Sequence, residues 1–168
     1  MPAMLSSPPD HPGELIERIR AAAADRTPLR LQGGGTKAFL AEPAPGTLLS
    51  TTGYAGIISH EPSELVVTVK AGTPLAELES VLAAAGQSLA FEPPHFGPGA
   101  TVGGAVAAGL AGPARAAVGG ARDYVLGVRL INGRGELLTF GGQVMKNVAG
   151  YDVSRALAGS RGQLGVMA

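Results

Sequence analysis

The chain of 168 residues has no cysteine and no tryptophan, and aromatic residues make up only 4% of it. Without cysteine it can form no disulfide, offer no thiolate nucleophile and ligate no iron–sulfur cluster; the absence fits a reducing compartment. Neither sign of charge is in excess, since thirteen Lys and Arg offset thirteen Asp and Glu. That balance argues against a chain-wide basic surface for nucleic acid. Long hydrophobic runs are missing too. The most apolar stretch, residues 102–111, is rich in Gly and Ala and falls far short of the roughly 20 residues that span a bilayer. The first ten residues lack the basic and apolar regions of a signal peptide. These absences lead us to expect a soluble, cytoplasmic protein without a transmembrane segment.

What the chain has in quantity is small and aliphatic. Hydrophobic residues reach 45%, so a core can be built from Ala, Val, Leu and Ile. The 26 glycines cluster near residues 33–35, 97–104, 119–120, 133–142 and 159–165. Clustered glycine marks backbone with positive φ or backbone that something approaches closely. Tight turns account for part of these clusters.

Periodicity predicts a helix over residues 12–24, with Leu15, Ile16 and Ile19 on one face. Short strands follow at residues 29–31, 47–50 and 57–60, and residues 65–70 are the clearest strand, rich in β-branched side chains. Thr73 as N-cap and Pro74 at the first position open a helix that Gly86 closes. Alternating strands and helices suggest parallel pairing in this half. Phe91, Glu92, Pro93 and Pro94 break the pattern and mark a lobe boundary. Residues 103–110 read as a helix of small residues. Residues 124–132 and 136–140 read as strands joined by an Asn132-Gly133-Arg134-Gly135 hairpin turn. A short helix over 152–158 and a strand over 164–167 complete the chain, which stops on that apolar run as if its C-terminal part were truncated. The expected fold class is α+β, a small parallel α/β lobe (residues 1–92) followed by a larger mixed or antiparallel lobe (residues 93–168), with no cap or substrate domain.

Three glycine loops carry the chemistry. The first is Gln32-Gly33-Gly34-Gly35-Thr36-Lys37, directly after a strand. Consecutive glycines let backbone N–H groups face an anion with no Cβ in the way; Thr36 adds a hydroxyl and Lys37 a positive charge. Alone, such a loop is more often a plain turn. A Walker loop fails on spacing, because Lys37 precedes Ala38 where Ser or Thr is needed, and the Rossmann fingerprint fails because Ala38 stands where its last Gly belongs. The second loop, around Thr101, Gly103 and Gly104, leads into a helix whose N-terminus suits a phosphate; close helix–sheet packing explains it as well. The third, Gly159-Ser160-Arg161-Gly162-Gln163-Leu164-Gly165-Val166, is again either a bend or a ligand contact. Three such loops on one small chain favour a long diphosphate ligand.

The order of these loops resembles the PCMH-type FAD-binding domain of the vanillyl-alcohol oxidase superfamily. Within it, Pro93-Pro94-His95-Phe96-Gly97, Gly112-Pro113-Ala114-Arg115, Arg122-Asp123-Tyr124-Val125-Leu126-Gly127 and Phe140-Gly141-Gly142-Gln143-Val144-Met145-Lys146-Asn147-Val148-Ala149-Gly150-Tyr151-Asp152 resemble the E subunits of bacterial glycolate oxidases, from about residue 29 onward. The resemblance implies FAD, its pyrophosphate held by Gly33, Gly34, Gly35, Thr36 and Lys37 and by Thr101, Gly103 and Gly104. Gly159, Ser160, Gly162, Gly165 and Val166 would line its ribityl or adenine side. Members that bind flavin covalently carry a His at the glycine loop; Thr36 and Lys37 stand there, so non-covalent FAD is expected. The implied function is flavin-mediated oxidation of glycolate to glyoxylate, with a small 2-hydroxy acid as substrate, in a complex with a catalytic flavoprotein subunit and an iron–sulfur subunit to which electrons pass. The complex would be cytoplasmic, or peripheral at the inner face of the cytoplasmic membrane through those partners. An assembly role that keeps the flavin fold without catalysis, or an FAD domain for another oxidation, stays open.

No catalytic acid, base or nucleophile stands out. His11, His60 and His95 have no metal-ligand spacing; His11 reads as solvated, His60 as a strand end, and His95 as at most an approach to the flavin. Arg122 and Asp123 read as a local ion pair. Lys146 and Asn147 interrupt an apolar stretch, with flavin contact, helix capping and partner contact all open.

Overall fold

The computed structural model describes residues 12–40, 42, 45–143 and 152–168; His11, Lys146 and Asn147 lie outside them. The expected first helix is α1, Gly13–Ala24, and its buried residues are the predicted Leu15, Ile16 and Ile19. They pack with Leu49, Tyr54, Ile131 and Val166 in one hydrophobic cluster. Each such aliphatic side chain contributes roughly 1.5–3 kcal/mol by leaving water.

Strands β1 (Leu29–Gln32) and β2 (Thr47–Ser50) pair in parallel, Leu29 opposite Thr47 and Gln32 opposite Ser50. The parallel expectation ends there. Strands β3 (Ile57–Glu61) and β4 (Val66–Val69) form an antiparallel pair, because only a single 3-10 turn, Pro62–Glu64, separates them. Parallel neighbours need a longer crossover. Leu65, expected in the strand, takes φ 56° at the end of that turn and is exposed.

Helix α2, Leu75–Ala84, buries Leu75, Leu78 and Leu82. Its N-cap is Pro74, not Thr73, and no side chain caps it. The chain enters α2 through an antiparallel bridge between Pro74 and Thr101, and the Ala100 carbonyl accepts from the Leu75 amide at 2.8 Å. Thr73 is fully buried and donates instead to the Lys70 carbonyl at 2.7 Å. At the other end the Gly86 and Gln87 amides donate to Ala83 and Leu82, both at 2.9 Å, the paired bonds of a Schellman stop.

Helices α3 (Val102–Ala108), α4 (Arg115–Val118) and α5 (Ala121–Tyr124) follow. Helix α5 takes Tyr124 out of the expected strand, and Asp123 Oδ2 accepts from the Gly120 amide at 2.8 Å rather than serving Arg122. The predicted hairpin is present as β5 (Gly127–Ile131) and β6 (Leu137–Gly141), antiparallel. Its turn is closed by Asn132 Oδ1, which accepts from the amides of Arg134 at 2.9 Å and Glu136 at 3.1 Å. Helix α6, Val153–Leu157, is capped by Asp152, whose Oδ1 accepts from the Arg155 amide at 3.1 Å. Strand β7, Val166–Met167, adds to β5, giving an antiparallel sheet in the order β6-β5-β7. The result is a mixed α+β fold with, among the described residues, one parallel and two antiparallel sheets. None of the helices described is long and apolar enough to cross a membrane.

Candidate functional site

The first glycine loop, residues 33–37, leaves the end of β1 and seats itself on the segment 95–101. A Cβ on Gly34 would fall on the carbonyl group of Gly99, and one on Gly33 would lie 2.6 Å from Thr101 Oγ1. The two backbones therefore approach as closely as only glycine allows. Lys37 Nζ crosses the same contact, donating to the His95 carbonyl at 3.4 Å and lying 5.9 Å from the Phe96 ring centre. Burial lowers the pKa of this ammonium, so a nearby anion would restore the cost of its desolvation.

The hydrogen bonding of this loop is one-sided. The carbonyls of Gly35 and Lys37 accept from Ala38 at 3.2 Å and Leu40 at 3.1 Å, but the amide hydrogens of residues 33–37 serve none of the described residues. All five positions are half-buried. A partly buried amide without a partner calls for an acceptor from outside the chain, and a row of them suits an anion.

The second loop is built the other way. Thr101 Oγ1 caps α3 by accepting from the Gly104 amide at 3.2 Å. The Val102 amide donates to Thr73 O at 2.9 Å, Gly103 to Ala71 O at 2.8 Å and Ala105 to Thr101 O at 2.9 Å. The first turn of α3 is thus committed inside the fold. A Cβ on Gly103 would lie 2.7 Å from the Cβ of Ala71, which explains that glycine by packing.

The third loop joins the other two. The Gly159 amide donates to Val106 O and the Arg161 amide to Ala107 O, both at 2.9 Å, taking up carbonyls at the end of α3. A Cβ on Gly162 would lie 2.6 Å from Leu31 Cδ2, against β1. Arg161 reaches back with its guanidinium to the Leu40 carbonyl at 3.0 Å, just past the first loop. Gly165 sits against Leu130 and Val166 in the core, so both face the antiparallel sheet. Ser160 Oγ is buried and has no hydrogen-bond partner among the described residues, an unpaired polar atom where the loops meet.

Of the residues singled out from sequence, then, those at 33–37, Thr101 and residues 159–162 come together, while Gly103, Gly104, Gly165 and Val166 are turned to internal partners. Gly99, Phe96 and Arg161 join the site as well; each lies in a loop or motif named from the sequence, but none was assigned a contact with FAD. Their contacts pair residues far apart in the chain, which local pattern does not reveal. His95 does not offer a lone ring: its Nε2 bonds Glu79 Oε2 at 2.9 Å. His60 Nε2 bonds Gln87 Oε1 at 2.9 Å. Among the described residues no group of His, Asp and Glu could hold a metal ion. Two shallow clefts lie away from the glycine loops, one of about 420 Å³ lined by Glu79, Gln87, Leu89 and Glu92, the other of about 340 Å³ beside Arg26 and Pro28.

A close-approach loop with unpaired amides, a half-buried ammonium and an orphaned buried hydroxyl fit a dinucleotide whose middle is a pyrophosphate. The family comparison agrees: residues 8–156 match the FAD binding domain family, and the chain belongs to it. More particularly, it is 52% identical over 158 residues to glycolate oxidase subunit GlcE of Escherichia coli K12, covering 94% of this chain and 45% of that protein. It is 28% identical over 167 residues to glycolate oxidase subunit GlcD of Bacillus subtilis 168, covering 95% and 34%. Among solved structures it resembles alkyldihydroxyacetonephosphate synthase with a TM-score of 0.72 at 23% identity, covering 95% of this chain and 29% of that one; this likeness concerns the fold. The chain spans less than half the length of these relatives.

Proposed function

We propose that this chain is the flavin-binding part of a glycolate oxidase-type 2-hydroxy-acid dehydrogenase and holds FAD without a covalent bond. The observation that carries the reading is the row of unused amides at residues 33–37 in a chain 52% identical to a glycolate oxidase subunit. The amides of Gly33, Gly34, Gly35, Thr36 and Lys37 hold the pyrophosphate, with the Lys37 ammonium neutralising part of its charge. Ser160 Oγ donates to the cofactor from the third loop, and Arg161 fixes the spacing of the two loops through Leu40. Thr101, Gly103 and Gly104 act by giving the first loop a rigid floor. Gly159 and Gly162 let the third loop close on α3 and β1, and Gly165 and Val166 anchor it to the sheet. Residues 1–92 and 93–168 are the two lobes around this line, their boundary in the irregular Pro93-Pro94 segment.

When bound, FAD supplies a two-electron acceptor, so that a 2-hydroxy acid such as glycolate is oxidised to its 2-oxo acid. The chain lacks cysteine, so it cannot ligate an iron–sulfur cluster itself; a partner subunit carries the electrons onward and a homologous flavoprotein subunit handles substrate. The complex works in the cytoplasm, touching the membrane only through partners. The test is twofold. Titrating FAD into the purified chain should give the shifted absorbance of bound flavin, released intact on denaturation. Reconstitution with the partner subunits should give dye-linked oxidation of glycolate. A chain that ignores FAD overturns the cofactor reading, and a reconstituted complex that turns over other alcohols but no 2-hydroxy acid overturns the substrate.

A further inference from the structure

The irregular segment Pro93-Pro94-His95-Phe96-Gly97 meets the first glycine loop at Thr36 and Lys37, yet its own backbone supports it poorly. Pro93, Pro94 and Pro98 have no amide hydrogen, and the amides of His95, Phe96, Gly97 and Gly99 serve none of the described residues. Phe96 has φ 55°, a conformation that a bulky residue keeps only where surrounding contacts enforce it. Side chains supply the hold. Phe96 rests edge to face on Phe39, ring centres 4.9 Å apart, but both rings are more than half exposed. The firmer anchor comes from α2, where His95 Nε2 donates to Glu79 Oε2 at 2.9 Å. Glu79 has a fixed base, since its helix is seated by the buried Leu75, Leu78 and Leu82. The carbonyl of the same histidine accepts from Lys37 Nζ at 3.4 Å. One residue thus links a carboxylate on α2 to the ammonium at the glycine loop.

We propose that Glu79 and His95 are a positioning pair for Lys37: Glu79 fixes His95, and the His95 carbonyl holds the Lys37 ammonium where an anion on the first loop meets it. The inference rests on the reading of residues 33–37 as the pyrophosphate site. Neither Glu79 nor the His95 ring touches the ligand in this account. The sign of the effect separates positioning from plain electrostatics. Glu79 is a negative charge, and by Coulomb's law alone its removal would tighten the binding of an anion. Removal of a positioning group weakens it instead. Two substitutions divide these effects. Glu79→Gln gives up the charge but keeps an oxygen that can accept from His95 Nε2. Glu79→Ala gives up both, and alanine suits a helix interior, so α2 keeps its fold.

The test is isothermal titration of the chain with inorganic pyrophosphate at neutral pH, for the parent, Glu79→Ala and Glu79→Gln, and again with each change added to Lys37→Met. Glu79→Ala should weaken pyrophosphate about fivefold, the size of an effect passed on by a residue that does not touch the ligand. Glu79→Gln should bind at least as tightly as the parent, which shows that the hydrogen bond and not the charge is what matters. In the Lys37→Met background neither change should weaken binding further, because the group being positioned is gone. Unchanged or tighter binding by Glu79→Ala overturns the proposal. So does a loss that persists undiminished without Lys37, since the pair would then act on the loop and not on its ammonium. Failure of pyrophosphate to bind the parent chain would instead remove the first-loop reading, and the inference with it.

Discussion

The first glycine loop and the N-terminus of α3 look alike on paper and differ in what they do with their amides. Both are runs of glycine at a helical turn, the first just before one and the second within the opening turn of α3, and both suggest a phosphate site. In the first, the amide hydrogens of residues 33–37 serve no described partner; in the second, those of Val102, Gly103, Gly104 and Ala105 all go to Thr73, Ala71 and Thr101. Glycine has a different purpose in each. At residues 33–37 it brings a donor-rich backbone against the segment 95–101 and leaves its other side for a ligand. At Gly103 it lets a helix lie on Ala71. A glycine-rich sequence announces close approach, and the partners of its amides tell whether the approach is to protein or to ligand.

Substitutions can break this comparison. The largest effect is expected from Gly34→Ala, whose Cβ would fall on the Gly99 carbonyl. The two loops must separate, costing about 3 kcal/mol of stability and more than tenfold in FAD affinity, read by urea denaturation and flavin titration. Gly103→Ala also meets a close neighbour, 2.7 Å away, and should cost about 2 kcal/mol. It should leave the FAD affinity of the folded protein within about twofold, since its glycine serves packing. Equal losses of affinity in both variants would erase the distinction.

Ser160→Ala sharpens the comparison from the third loop. Its hydroxyl is buried without a partner among the described residues, so its loss should leave the ligand-free protein as stable or up to about 1 kcal/mol more stable, while lowering FAD affinity about fivefold. Stability and affinity move in opposite directions only if the hydroxyl waits for a ligand. The smallest effect concerns Asp152, which caps the helix leading into that loop. The Arg155 amide, then the Ser154 hydroxyl, hold its carboxyl pKa below the usual range. Because the folded pKa is depressed, its contribution is complete at neutral pH and fades as pH falls through the folded value. Asp152→Asn should therefore lower stability slightly at pH 7 and not at all below the folded pKa, which flattens the acid limb of the stability curve.

Much of the fold was legible from local pattern. The face of α1, the strands β1 and β2 and the hairpin at Asn132 all follow from nearby side chains. What was missed depends on distant ones. Thr73 has the sequence of an N-cap, yet the Ala100 carbonyl already serves the Leu75 amide, which frees the Thr73 hydroxyl for the Lys70 carbonyl. Parallel pairing was expected throughout the first half of the chain from the alternation of strands and helices, but one short turn joins β3 to β4 and makes that pair antiparallel. The candidate site follows the same rule. The three glycine loops could be found from sequence, whereas the commitment of the α3 amides, the contact of Arg161 with Leu40 and the pairing of Phe39 with Phe96 each join residues tens of positions apart.

The most direct test of the first loop as the pyrophosphate site is a ¹H–¹⁵N correlation spectrum of the chain during FAD titration. The amides of residues 33–37 should shift downfield and gain protection from solvent exchange, while those of Val102, Gly103 and Gly104 move little. Large shifts at the start of α3 with none in the first loop would show that the wrong glycines had been assigned to the ligand.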